Sequence, residues 1–190
     1  MFKQWNTIFM EAQTTTKTLW TVDPTHSEVQ FKVRHLVIST VTGTFNRFNG
    51  QLKSNTEDFD GAEVSFEIDV NSVDTNVKDR DAHLRSADFF DVAQFPKMTF
   101  DGVLDKNGAG YALEGDLTLK DKTQKVALIA ELGGIMEDPY GQTKAGFEIN
   151  GKLNRKDFGL TWHQVTEAGG VVVGDEVKLH FNIQVVKSQD

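Results

Sequence analysis

The feature that most constrains this chain is a period of two in its apolar residues, repeated from one end to the other. Successive side chains of a strand point to opposite faces, so sustained alternation marks a sheet with one oily face and one wet face. Val29, Phe31 and Val33 alternate with Glu28, Gln30, Lys32 and Arg34, and Val41, Gly43 and Phe45 follow. Val64, Phe66, Ile68 and Val70 repeat the pattern, and Met98, Phe100 and Gly102 take it up again. Further runs are Tyr111, Leu113, Gly115, Leu117 and Leu119, then Val126, Leu128, Ala130 and Leu132, then Ala145, Phe147, Ile149, Gly151 and Leu153, and last Val177, Leu179, Phe181, Ile183 and Val185. This predicts about eight strands, punctuated by turn pairs such as Asn49-Gly50, Asp60-Gly61, Asn107-Gly108 and Gly133-Gly134.

One-sided strands imply an antiparallel sheet. The one segment that reads as helix, Val77 to Ser86, is short and charged, with Asp81 and Arg85 placed for a favourable pair one turn apart. No long helix is available to cover the oily face, so the sheet must close on itself or stack on another, giving a barrel or a sandwich. Gly43, Gly102, Gly115 and Gly151, with Ala130 and Ala145, fall in register with the large inward residues. A barrel of roughly eight strands is just wide enough either to be filled by side chains or to hold one small ligand. Small inward residues favour the ligand, whereas glycines that merely bend strands at barrel corners favour neither. Both readings of the glycines stay open at this point.

A chain of 190 residues suits one domain. Its formal net charge of -8, with no basic stripe, argues against a nucleic-acid partner. The absence of cysteine excludes disulfides, thiolate chemistry and sulfur-bound zinc. No window approaches the roughly 18 apolar residues of a membrane-spanning helix. Residues 1–18 read as an N-terminal extension, with Met1 or Met10 as the natural start. Lys3, Gln4, Asn6, Thr7 and Glu11 break up its apolar residues, unlike the continuous core of a secretory signal, so a cytoplasmic protein is expected.

Catalytic and cofactor signatures are sparse. His26, His35, His83, His163 and His180 have no close metal-binding spacing, so no metal is expected. His83 could act as a general base oriented by Asp79, although no companion nucleophile or acid can be named. Gly146 to Lys152 mimics a phosphate loop, but Leu153 stands where Ser or Thr is required and the segment alternates as a strand. No cofactor is expected.

Several ordered blocks carry a family likeness. Trp20 to Ser27, then Phe31, His35-Leu36 and Gly43-Thr44-Phe45, resemble the opening of the YceI-like family. Arg80 to Asp91, closing with Phe95-Pro96 and Phe100, is similar to that family's most distinctive block. Gly115 to Leu119, Arg155 to Gly159 and Gly169-Gly170 to Gly174–Val177 extend the likeness across 19–187. The resemblance implies an all-β fold: an eight-stranded antiparallel lipocalin-like barrel with one short helix beside it. It further implies a polyisoprenoid or isoprenoid quinone threaded into the interior.

On this reading Phe31, Val33, Phe45, Phe66, Ile68, Phe100, Leu117, Leu128, Phe147, Ile149 and Phe181 line the ligand. The family blocks suggest polar or mouth roles for His26, His35, Arg80, His83, Phe89 and Trp162. Where the family usually has glycine, this chain has Asp121, which is expected to cost the turn little. The protein would be a carrier, store or sensor and not an enzyme. An interaction module with a packed interior and a lipid-directed enzyme using His83 are the alternatives. A homodimer is left open.

Overall fold

Each alternating run becomes a strand, and three stretches that the period of two left unmarked become strands as well. The computed structural model describes residues 17–55, 58–163 and 172–188. Most of the expected N-terminal extension, including both candidate start methionines, lies outside the described residues. The strands are β1 (Thr18–Val22), β2 (Glu28–His35), β3 (Ser39–Phe45), β4 (Phe48–Ser54), β5 (Ala62–Asp69), β6 (Val73–Asp74), β7 (Lys97–Asn107), β8 (Gly110–Leu119), β9 (Lys122–Glu137), β10 (Thr143–Asn154) and β11 (Val173–Lys187). Among the described residues one α-helix, α1 (Lys78–Arg85), joins β6 to β7.

The first three walls of the barrel are each built from two strands in line. β11 pairs with β1 near its end, at Val22 and Val185, and with β2 earlier, at Phe31 and Leu179. Likewise β4 pairs with β1 and β5, while β3 pairs with β2 and β6. The remaining strands are single walls, each bonded antiparallel to the next in sequence. Eight walls therefore close in one antiparallel ring. Closure leaves no long bare edge to pair with another chain.

The break between β1 and β2 is held by a polar knot. Asp23 accepts hydrogen bonds from the Thr25 amide (3.0 Å) and hydroxyl (2.6 Å), pairs with His26 Nδ1 (2.7 Å) and accepts from Gln184 Nε2 (3.0 Å). Burial acts to raise the Asp23 carboxyl pKa, but the bonds from Thr25 and His26 outweigh it and hold the value at about 2. A carboxyl depressed on folding stabilises fully above its unfolded value and loses that contribution as pH falls through its folded value. The knot should therefore contribute about 2 kcal/mol at neutral pH, lost between roughly pH 4 and pH 2. Asp23→Asn should lower the urea midpoint at pH 7 and flatten its acid dependence across that window.

Two of the expected turns are not turns. Asn49-Gly50 lies inside β4, where Gly50 sits opposite Phe66. Gly133-Gly134 forms a bulge within β9: Gly146 pairs with Gly134 and Phe147 with Leu132, so Gly133 is the extra residue. A bulge re-aims a long strand without ending it, and Gly134 takes the positive φ (144°) that this demands. Asp60-Gly61 and Asn107-Gly108 do lie in turns. In the β8–β9 hairpin it is Lys120, not Asp121, that adopts left-handed backbone (φ 56°), so the strain from the missing glycine falls one residue earlier. Asp81 and Arg85 do not pair. Asp81 is buried and accepts from the Thr75 amide and hydroxyl, while Arg85 donates to the Asn71 and Val73 carbonyls.

Candidate functional site

The barrel encloses a cavity of about 200 Å³ whose accessible wall is entirely apolar. Every residue expected to line the ligand contributes to that wall: Phe31, Val33, Phe45, Phe66, Ile68, Phe100, Leu117, Leu128, Phe147, Ile149 and Phe181. Sequence reasoning missed others, among them Leu84, Phe90, Met98, Leu104, Leu113 and Leu160. Leu104 and Leu113 follow the alternation of their strands. Leu84, Phe90 and Leu160 come from the helix and loops, where no period of two exists to expose them.

The inward glycines act through what lies over them. A Cβ on Gly43 would strike the Phe31 ring and one on Gly50 the Phe66 ring. On Gly151 it would strike the Leu128 methyl. The bulky side chains thus lie against bare backbone, so glycine keeps the lumen open by letting its neighbours fold back. The facing pair Gly102 and Gly115 differ: a Cβ on Gly102 meets the Glu114 carbonyl and one on Gly115 the Asp101 carbonyl and the Gly102 Cα at 2.6 Å, all of them backbone, with the Phe100 ring next for both. Their role is the close approach of β7 and β8.

One end of the barrel is plugged. Phe59, fully buried, packs its ring against Trp20 (5.1 Å) and Phe147 (5.1 Å), and Tyr111 Oη donates to the Asp58 carbonyl at 2.5 Å. Burial pushes the Tyr111 phenol above its ordinary pKa. The sequence gives no warning of this plug, because Phe59 stands alone in a polar turn.

The other end is the mouth. Leu84 from α1, Phe89, Phe90, Leu160 and Val173 bound the cavity there. Arg155, bonded mostly to backbone carbonyl oxygens, organises this rim although it is only 2% exposed. Its guanidinium donates to the carbonyls of Gly174 (2.9 Å), Leu160, Trp162 (2.9 Å) and Val173 (3.3 Å) and to the Asp175 carboxylate (3.3 Å). Asp175 also takes a bond from Lys156 Nζ (2.8 Å), the main influence holding its pKa below the usual carboxylate range.

The residues given mouth roles separate into groups. His83, Phe89 and Trp162 form one aromatic cluster, with ring centroids 5.0 to 5.3 Å apart, and Phe89 reaches the cavity wall. His83 Nε2 is 3.0 Å from Asp88, so the partner is Asp88 and not Asp79. His35 sits near the rim, opposite Val173 and Ser39, but outside the cavity wall. Arg80 is spent on Thr75, donating to its hydroxyl and its carbonyl at 2.7 Å each, and does not face the cavity. His26 is on the outer surface in the Asp23 knot, away from the mouth. No helix among the described residues is long and apolar enough to cross a membrane.

A closed antiparallel barrel with an apolar lumen, one plugged end and one helix-lined mouth defines a lipocalin-like container, the architecture of a binding protein. The chain belongs to the YceI-like domain family, whose model matches residues 20–185. It is 38% identical over 168 residues to an UPF0312 protein of Staphylococcus epidermidis, covering 88% of this chain and 96% of that one. A Campylobacter jejuni YCEI protein superposes with a TM-score of 0.67 at 29% identity, covering 83% of this chain and 90% of that one. A polyisoprenoid binding domain from Saccharophagus degradans, implicated in plant cell wall breakdown, gives a TM-score of 0.64 at 17% identity, covering 89% of this chain and 98% of that one.

Proposed function

We propose that this chain binds a long apolar lipid of the isoprenoid type, a polyprenyl compound or an isoprenoid quinone, inside the barrel, as carrier, store or sensor and without catalysis. The observation that carries the reading is the wholly apolar cavity between the Phe59 plug and the Leu84–Phe89 rim. Among the described residues Gln30, Gln51 and Arg155 border the cavity but its accessible wall is apolar, so affinity would come from a hydrocarbon tail and a polar head would stay at the rim, near His83 and Trp162. The description of the Saccharophagus relative points to the same ligand class.

Magnitudes set the expected tail dependence. Burying a methylene contributes about 0.8 kcal/mol, so one five-carbon prenyl unit contributes up to roughly 4 kcal/mol. Association costs on the order of 4 to 15 kcal/mol, so a bare head group should bind poorly. A cavity of roughly 150 Å³ takes up benzene, so about 200 Å³ accepts one to two prenyl units as it stands. Longer tails would displace the rings folded over the glycines or part the rim. Calorimetric titration with a quinone head group carrying zero to four prenyl units should show no measurable binding without a tail. Affinity should then rise by more than a hundredfold with the first unit and by less with each later one. Equal affinity across the series would reject the proposal.

His83 gives the enzyme alternative its one observation, the short contact with Asp88 at the rim. Its ring is outside the cavity wall and packed edge-on against Phe89 and Trp162, an arrangement suited to orienting a head group. Incubation with a prenyl lipid followed by mass spectrometry should return the lipid unchanged.

A further inference from the structure

The tip of the β2–β3 hairpin presents three consecutive large apolar side chains to solvent: Leu36, Val37 and Ile38 are 36%, 73% and 85% exposed. Burial does not explain them. Folding does not favour them either, since Leu36 and Val37 take left-handed backbone at φ 50° and 64°. That conformation costs an ordinary L-residue and is a genuine outlier for β-branched valine, where Asn or Gly would be natural in a tight turn.

Charge and position add two independent facts. From Val29 to Phe45 the hairpin contains no Asp or Glu, while Lys32 and Arg34 lie exposed on its outer face, in a chain of net charge -8. The two acids on the facing strand, Asp175 and Glu176, are taken up by other cations, Asp175 by Arg155 and Lys156 and Glu176 by Lys152. The tip also stands at the mouth end: the Leu36 amide bonds the Val172 carbonyl at 2.9 Å, beside Val173 of the cavity rim, and Val33, three residues before Leu36, is part of the cavity wall.

We infer that the Leu36-Val37-Ile38 tip docks the barrel mouth-first on an anionic lipid bilayer, inserting its apolar side chains between headgroups while Lys32 and Arg34 meet the negative surface. Apolar insertion and basic attraction are the two ordinary sources of interfacial affinity, and each alone is weak. The inference goes beyond ligand binding and holds whatever the cavity contains.

The test is flotation of the full chain with vesicles of phosphatidylglycerol and phosphatidylcholine in equal parts, against pure phosphatidylcholine, at 50 and 500 mM NaCl. The chain should partition to the anionic vesicles at least tenfold better than to the neutral ones, and the added salt should erase most of that preference. Ile38→Asp should lower partitioning at least tenfold. Val37→Asn should also lower it while raising Tm, because Asn tolerates left-handed backbone; a tip with a purely structural role would lose binding and stability together. Titration of a soluble short-tailed prenyl quinone in vesicle-free buffer should be the same for both variants and the parent, which separates failure of docking from failure of cavity binding. Failure of the parent chain to float, equal flotation of Ile38→Asp, or tip variants that change only the sedimentation mass, as a self-association surface would, each overturn the inference.

Discussion

Gly151→Leu should abolish uptake of a prenylated ligand while leaving the barrel folded. The new side chain meets the movable end of Leu128 and drives it into the lumen, removing room for about one prenyl unit. At up to roughly 4 kcal/mol per unit, the loss is on the order of a thousandfold in Kd. Overpacking should cost about 1 to 3 kcal/mol of stability, within reach of a barrel of this size. Gly115→Leu makes the contrast: its Cβ collides with the backbone of Asp101 and Gly102, which cannot rotate away, so this variant should fail to fold instead of folding without binding. Circular dichroism melts beside ligand titrations check both. A Gly151→Leu protein that folds and still binds at parental affinity contradicts the open-lumen account.

Arg155→Ala should be the most damaging single truncation at the mouth. It removes the donors to four carbonyl oxygens and one carboxylate at a nearly fully buried site. Each buried polar group left unpaired costs about 1 to 3 kcal/mol, and water can rescue only the outer ones, so a total near 4 kcal/mol is expected. For a chain of this length that corresponds to a fall in Tm of roughly 8 to 16 °C. Arg155→Lys keeps the charge, but one compact ammonium cannot span acceptors spread from Leu160 to Gly174, so about half the loss should remain. Both variants should release bound ligand faster than the parent, because the rim they loosen is the exit. Differential scanning calorimetry and a displacement assay measure the two effects separately.

The cavity wall was more legible than the path of the chain around it. Alternation alone assigns Phe31, Phe66, Leu117 and Phe147 to the inside, because a one-residue slip would turn each whole strand inside out. It leaves barrel and sandwich open, since both bury one face; the choice came from the family blocks. β1 and β6 escaped because five and two residues are too short for a period to register, and β4 because two of its inward positions are the small Gly50 and Ser54 and Asn49-Gly50 has turn chemistry inside a strand. Gly133-Gly134 misled for the same reason, glycine serving a bulge as readily as a turn. Arg155 was invisible to reasoning from composition, because arginine is expected at the surface and only the carbonyls gathered around it by the loop after β10 and the start of β11 account for its burial. Phe59 had no pattern at all. His26 and Arg80 were drawn from family blocks, where a motif held together by internal hydrogen bonds reads the same as one that touches ligand.

The central claim is that a prenyl chain occupies the lumen. A crystal structure of the full chain grown with a two-unit prenyl quinone tests it most directly. The account predicts continuous density for the tail along Phe31, Phe100 and Leu128, with the quinone ring at the rim beside Phe89 and Trp162. An empty lumen with the ligand on the outer wall, or a lumen closed by side chains at saturating ligand, would contradict it.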